Sequence, residues 1–264
     1  MKTIASNPNQ MPSAVLKEQL DKNHSNFWRA KFFVVATLAA SWLCASAHAD
    51  GLTGYYTAVA ANDPDFGPTY WILASGMVQN QLGPNGLPML SPLGVSTLGT
   101  SDMNATTHEL LWWSPGLNPH VSYDPIPVQV DSMPMAFGYP NPWYVTGQSS
   151  DQNYFRSVHW QGTFNMASAG QISLNMSVDD DAWLFIDGNL VIDDHYGTSA
   201  SANPTMSAGT HSIDIFFDDR VASNDGFNFS SSVALSPVPE PGVITLCAAG
   251  AFCLLGRARR QKKV

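Results

Sequence analysis

Short apolar or alternating runs, separated by turn residues, fill the second half of this chain. The clearest are Ser157–Met166, Gln171–Val178, Ala182–Ile186, Leu190–Ile192, His211–Phe217 and Phe227–Leu235. A period of two bounded by Gly, Pro, Asn and Asp predicts β-strands. Asp187-Gly188 lies between two of the runs and predicts a tight hairpin turn. Ala169-Gly170 and Ala208-Gly209 mark two more turns. Long helical periodicity is absent. The pattern predicts an all-β fold, an antiparallel β-sandwich of jelly-roll type. From Asn62 to Ser150 it is less regular, rich in Pro, Gly and Met, with aromatics at Trp71, Trp112, Trp113, Trp143 and Tyr144. A few strands joined by long loops are expected there.

The ends have a different pattern. Arg29 and Lys31 precede an apolar run from Phe32 to Cys44, and Ala47-His48-Ala49 then offers a small-x-small cleavage site. Residues 1–49 therefore predict a secretory signal peptide with a long polar n-region, Met11 being an alternative start and Asp50 the first mature residue. Cys44 lacks a lipoprotein context. At the other end, Ser236-Pro237-Val238-Pro239 forms a linker, and Pro239-Glu240-Pro241 is followed by an uncharged stretch, Val243 to Gly256. Arg257, Arg259, Arg260, Lys262 and Lys263 close the chain. The 14 residues from Val243 make about 21 Å of helix, against roughly 30 Å of hydrocarbon. The basic tail favours the cytoplasmic side.

Setting both ends aside sharpens the charge. The whole chain of 264 residues carries a formal −9. Asp50 to Pro241 contains 17 Asp and 2 Glu against Arg156, Arg220 and no Lys, a formal charge of −17. Such a segment should not bind nucleic acid or anionic lipid, and it suits a calcium-rich exterior. The three cysteines, Cys44, Cys247 and Cys253, all fall in the terminal segments. The part from 50 to 236 must therefore hold together in an oxidising compartment without disulfides.

The candidate chemistry sits in Val178-Asp179-Asp180-Asp181, where one predicted strand ends and the next begins. Adjacent carboxylates repel unless a cation or backbone donors absorb the charge. Calcium, with six to eight oxygen ligands, is the natural partner. Further oxygens come from Asp193-Asp194, Asp218-Asp219 and Asn224-Asp225. The candidate metal ligands are Asp179, Asp180, Asp181, Asp218, Asp219, Asn224 and Asp225. His159, His195 and His211 lack metal-ligand spacing. There is no G-x-S-x-G, H-E-x-x-H or phosphate loop, and no cysteine nucleophile outside the terminal segments. Adjacent aspartates in one short loop suit a metal better than a glycosidase acid/base pair.

Two resemblances follow from these residues. The order of motif, short span and basic tail resembles the PEP-CTERM sorting signal of Gram-negative bacteria that make exopolysaccharide. It implies removal of residues 237–264 by an exosortase and delivery to the cell surface or matrix, after transient anchoring in the inner membrane. In the body, Ser157-Val158-His159-Trp160-Gln161-Gly162, Val178-Asp179-Asp180, Leu184–Gly188 and Ala208–His211 resemble the protective-antigen-type domains. Asp63-Pro64-Asp65-Phe66, Phe217–Arg220 and Phe227-Asn228-Phe229 resemble the fibro-slime subgroup. In lectin members of that family a paired aspartate, often joined by a cis peptide, binds calcium, and the calcium binds sugar hydroxyls. Asp179 and Asp180 fall on that pair.

The resemblance implies a non-enzymatic, calcium-dependent carbohydrate-binding module. Its partners would be extracellular polysaccharide and, during export, signal peptidase and exosortase. Trp183, Asp193 and Asp194 are its candidate sugar contacts, although Trp183 also alternates with Phe185 toward one face as a core residue would. The alternatives are a structural matrix protein in which calcium only stabilises the fold and, ranked last, a matrix glycosidase.

Overall fold

The computed structural model describes residues 50–67, 75–138, 142–222 and 225–238. Trp71, Asn224, the sorting motif Pro239-Glu240-Pro241 and both terminal segments lie outside the described residues. Among the described residues, no helix is long and apolar enough to cross a membrane.

The strands in chain order are β1 (Gly51–Ala60), β2 (Val78–Leu82), β3 (Pro88–Leu90), β4 (Val121–Ser132) and β5 (Met135–Gly138). Then follow β6 (Tyr154–Met166), β7 (Gly170–Gln171), β8 (Leu174–Asp179), β9 (Asp181–Ile186) and β10 (Asn189–His195). The last are β11 (Thr198–Ala202), β12 (Thr205–Met206), β13 (Gly209–Asp218), β14 (Gly226–Ser231) and β15 (Ser236–Pro237). Among the described residues one helix of about two turns, α1 (Pro92–Leu98), follows β3. Ser91 caps it, its hydroxyl accepting from the Gly94 N–H at 3.1 Å, with Pro92 in the first turn where a missing N–H costs nothing.

The fold is an all-β sandwich, as the strand periodicity predicts. One sheet runs β3-β2-β10-β9-β13-β6-β1-β4, with β15 on β6, and the other runs β11-β8-β14-β5. The neighbouring strands within both pair antiparallel. Asp187 and Gly188 both have positive φ and join β9 to β10 in the two-residue hairpin that Asp-Gly predicts. Between the sheets, Trp160, Leu184, Ile215 and Phe217 of the large one meet Met176, Val178, Phe227 and Phe229 of the small one. The opposite face of the large sheet is also covered. Trp183, Phe185 and Phe216 pack there against Phe66, Trp112 and Trp113, contributed by the excursion between β1 and β4. Every residue of β9 is buried for this reason. A strand covered on both faces reads as a continuous apolar run rather than an alternating one.

The region that looked irregular thus forms the second cover of the large sheet. At the C-terminal side, Ser236 and Pro237 add to the edge of β6, and the Thr53 hydroxyl donates to the Val238 carbonyl at 2.8 Å. The sandwich therefore extends two residues into the expected linker.

One glycine is fixed by the geometry beside the acidic loops. Gly138 has φ +79°, and a Cβ there would lie 2.3 Å from the Asp225 carbonyl oxygen. Gly138→Ala combines left-handed strain with a backbone clash, an expected loss of roughly 1–3 kcal/mol. Urea denaturation of the variant beside the parent measures it.

Candidate functional site

Asp179 ends β8 in the small sheet and Asp181 begins β9 in the large one, so Asp180 stands at the corner where the chain changes sheets. The Asp179–Asp180 peptide bond is cis. Asp180 is buried, and its Oδ2 accepts from the backbone N–H groups of Arg220 at 2.7 Å and Val221 at 2.8 Å. Burial pushes its carboxyl up to about 7 despite those two donors. Asp225 comes to the same corner because Gly226 pairs with Asp179 across the β8–β14 ladder. Its Oδ2 accepts from the Trp143 N–H. Burial raises the Asp179 and Asp225 carboxyls, and Asp225 adds repulsion at Asp179.

Asp219 follows β13 and is 1% exposed. Neither of its carboxylate oxygens accepts a hydrogen bond. Burial holds its carboxyl well above the ordinary range, and Asp180, Asp151, Asp225 and Asp218 all push the same way. Asp151 also belongs to this group. Its Oδ1 is buried and accepts nothing, and burial followed by repulsion from Asp225 raises its carboxyl to about 6. It lies 28 positions before Asp179 in an irregular loop, and nothing in its local sequence distinguishes it.

The structure divides the candidate ligands between two places. Successive side chains of a strand point to opposite faces. Asp181 therefore shares a face with Trp183 and Phe185, away from the small sheet. There its Oδ2 accepts from Arg220 Nε at 2.8 Å and its Oδ1 pairs with His195 Nδ1 at 2.8 Å. Asp218, opposite Asp181 in the β9–β13 register, lies 3.4 Å from Arg220 Nε. Asp181 and Asp218 thus belong to an ion-pair network centred on Arg220 rather than to a shared metal site with Asp179 and Asp180.

The candidate sugar contacts need similar correction. Trp183 is fully buried, packed edge-on to Trp113 and against Trp112, so it offers no face to a ligand. Asp193 pairs through Oδ1 with His195 Nε2 at 2.6 Å and accepts the Gly76 N–H on Oδ2 at 2.7 Å. Asp194 is buried, and its Oδ1 accepts from the His195 N–H and the Thr198 hydroxyl, closing the turn after β10. Asp193 is consumed by local structure, and Asp194 keeps one buried oxygen, Oδ2, without a hydrogen bond.

His159, His195 and His211, which lack metal-ligand spacing, are each partnered by a carboxylate. His159 meets Asp214 at 3.0 Å, and His211 meets Asp187 at 2.6 Å. His195 bridges Asp181 and Asp193. Elsewhere, Asp63, Asp65 and Asp102 each direct one carboxylate oxygen to within 4.8 Å of the others.

With this geometry in view, residues 142–218 match the PA14 domain family, which spans β6 to β13 and both acidic strand ends. The described residues form a β-sandwich, and the part from 142 to 218 is similar to that family. No curated protein matches the chain in sequence. Among solved structures, the PA14 domain of the MpAFP antifreeze protein aligns at 14% identity and TM-score 0.29, covering 73% of this chain and 93% of that one. The epithelial adhesin 9 A domain of Candida glabrata, in complex with Galb1-3GlcNAc, aligns at 10% identity and TM-score 0.26, covering 39% and 61%. A β-glucosidase of Kluyveromyces marxianus aligns at 12% identity and TM-score 0.27 over 29% of this chain. The match spans only 11% of that enzyme's length.

Proposed function

We propose that this protein is a secreted, calcium-dependent carbohydrate-binding module of the cell surface or exopolysaccharide matrix, without catalytic activity. The ion would be held at the corner by Asp179, Asp180, Asp219 and Asp225, with Asp151 beside them. Residues 1–49 would direct export through signal peptidase. The tail, 237–264, would anchor the chain briefly in the inner membrane until an exosortase removes it.

The observation that carries the reading is Asp219. A carboxylate 1% exposed, with no donor on either oxygen and four acidic neighbours, needs a cation to be stable as an anion. The donors at the corner are all oxygens, which suits a hard divalent ion. Bound there, calcium would supply open coordination positions for vicinal sugar hydroxyls. Asp179, less buried than Asp180, faces the more accessible side.

A structural matrix role, with calcium serving stability alone, is favoured by one observation. The indole of Trp183, three residues after Asp180, is sealed in the core. Thermal unfolding and glycan binding separate the two readings. Calcium at 100 times its dissociation constant is expected to stabilise the full chain by about 2.7 kcal/mol over EDTA. Asp179→Asn/Asp180→Asn should lose much of that gain together with retention on the producer's own polysaccharide. A calcium shift without any polysaccharide retention would favour the structural role. An unchanged midpoint in both proteins would remove the corner ion altogether.

A further inference from the structure

A second acidic group, on the far cover of the large sheet, has a different construction from the corner. Asp63 and Asp65 lie in the turn that follows β1. That turn is closed by the Asp63 N–H donating to the Ala60 carbonyl at 2.9 Å. Asp102 lies in the loop after α1, its carbonyl accepting the Leu111 N–H at 2.8 Å. Each carboxylate is oriented by a neutral donor on one oxygen. Asp63 Oδ1 accepts the Asp65 N–H at 2.8 Å, Asp65 Oδ2 accepts the Trp112 indole N–H at 3.2 Å, and Asp102 Oδ1 accepts the Asn118 amide at 2.9 Å. Asn118 is itself fixed, its Oδ1 accepting the His120 N–H at 2.8 Å.

The remaining oxygens are the informative ones. Asp63 Oδ2 and Asp102 Oδ2 are buried and accept no hydrogen bond. Each of the three residues is only 3% exposed. One ligand oxygen from each converges within 4.8 Å of the other two. Oxygens sharing a calcium ion at roughly 2.3–2.6 Å lie no more than about 5 Å apart. Carboxylates held by outer partners, with one oxygen of each drawn to a common point, are built as metal ligands usually are.

Arg220 donates from Nη1 to the Asp65 backbone carbonyl at 2.9 Å and from Nε to Asp181, and its charge offsets only part of the effect of burial on Asp65. Burial pushes Asp63 up to about 7, and Asp65 and Asp102 to about 6, even with their neutral donors in place.

We propose that Asp63, Asp65 and Asp102 form a second divalent-cation site, suited to calcium, which pins the turn after β1 to the loop after α1. The donor set contains no imidazole or thiolate, so it selects a hard ion over zinc. The site would tie the 61–120 cover to the large sheet, in a chain segment with no disulfide to do so. It stands whether or not the corner binds an ion.

Equilibrium dialysis of the full chain against calcium, after chelation, tests the proposal. The Asp179→Asn/Asp180→Asn protein is expected to retain at least one bound calcium. Adding Asp63→Asn/Asp102→Asn should abolish it. Those changes remove like charge and leave oxygens for the Asp65 N–H and the Asn118 amide, so the fold is expected to persist by far-ultraviolet circular dichroism. Calcium binding that is indifferent to Asp63→Asn/Asp102→Asn would overturn the site, leaving three carboxylates that share protons. A second measurement leaves the cluster untouched. Terbium added to the Asp179→Asn/Asp180→Asn protein should give tryptophan-sensitised emission, because Trp112 donates to a ligand carboxylate. Absence of that emission at millimolar terbium would equally overturn the proposal.

Discussion

Arg220→Met is expected to destabilise the protein by about 3–5 kcal/mol, the largest effect of any single substitution considered for this chain. The guanidinium is 2% exposed and holds three elements together. Nε donates to Asp181 at 2.8 Å and lies 3.4 Å from Asp218, while Nη1 donates to the Asp65 carbonyl at 2.9 Å. Its plane sits over the Trp112 ring at 5.5 Å, adding a desolvated cation–π contact. Methionine replaces the stem but leaves Asp218 buried without its cation and Asp181 with His195 alone. The cost is that of a broken buried ion-pair network, not of one lost hydrogen bond. For a domain of this size, 1 kcal/mol corresponds to roughly 2–4 °C in the midpoint, so a fall on the order of 10 °C is expected by calorimetry. Arg220→Met/Asp181→Asn/Asp218→Asn should recover much of it. Failure of that rescue would place the value of Arg220 in packing rather than charge.

The second large effect is a pH dependence centred on His195. The ring is buried, which by itself disfavours the charged form, but hydrogen bonds to Asp181 at 2.8 Å and Asp193 at 2.6 Å outweigh burial and push it up to about 9. Both ring nitrogens face carboxylates, so both donate, and the imidazolium is the form the site accepts. The folded-state value lies above the unfolded value of about 6.5. The contribution is therefore fully present below pH 6.5 and is lost as pH rises from there through about 9. A difference of this size corresponds to on the order of 3 kcal/mol. Unfolding free energies in EDTA at pH 6 and pH 9 should differ more in the parent than in His195→Gln. The raised carboxyls of Asp180 and Asp219 add a slope of the same sign in metal-free protein, since their protonated forms are favoured in the fold. The His195→Gln comparison isolates the imidazole. Equal slopes in the two proteins would show that carboxyls alone set the dependence.

Several features were legible in the residues themselves. The runs beginning at Ser157, Ala182 and His211 became β6, β9 and β13, because period-two alternation and apolar continuity are properties of neighbouring residues. Asp187-Gly188 specified its hairpin because only residues tolerant of positive φ fit that turn. α1 was missed, since seven residues with one Pro and one Gly carry no helical periodicity. The pairing of Asp179 with Asp180 as an acidic corner was legible because the two are adjacent and end a strand.

What each aspartate does was not legible, and the reason is physical. Asp180 and Asp181 differ by one position, but that step turns the side chain to the other face of the sheet, toward Arg220 and His195. Asp218 follows Asp181 because the β9–β13 register sets them opposite each other. Trp183 is sealed because a segment more than 70 residues earlier, carrying Trp112, folds over it. Asp63, Asp65 and Asp102 are brought together by a turn and a loop with no shared sequence pattern. By itself the sequence determined strand content, the −17 charge between Asp50 and Pro241 and the site of the acidic turn, all of which depend on residues close in the chain. The tertiary structure alone decided which carboxylates converge, which share an arginine and which are left with an oxygen unpaired, because those depend on register and on which face each strand residue presents.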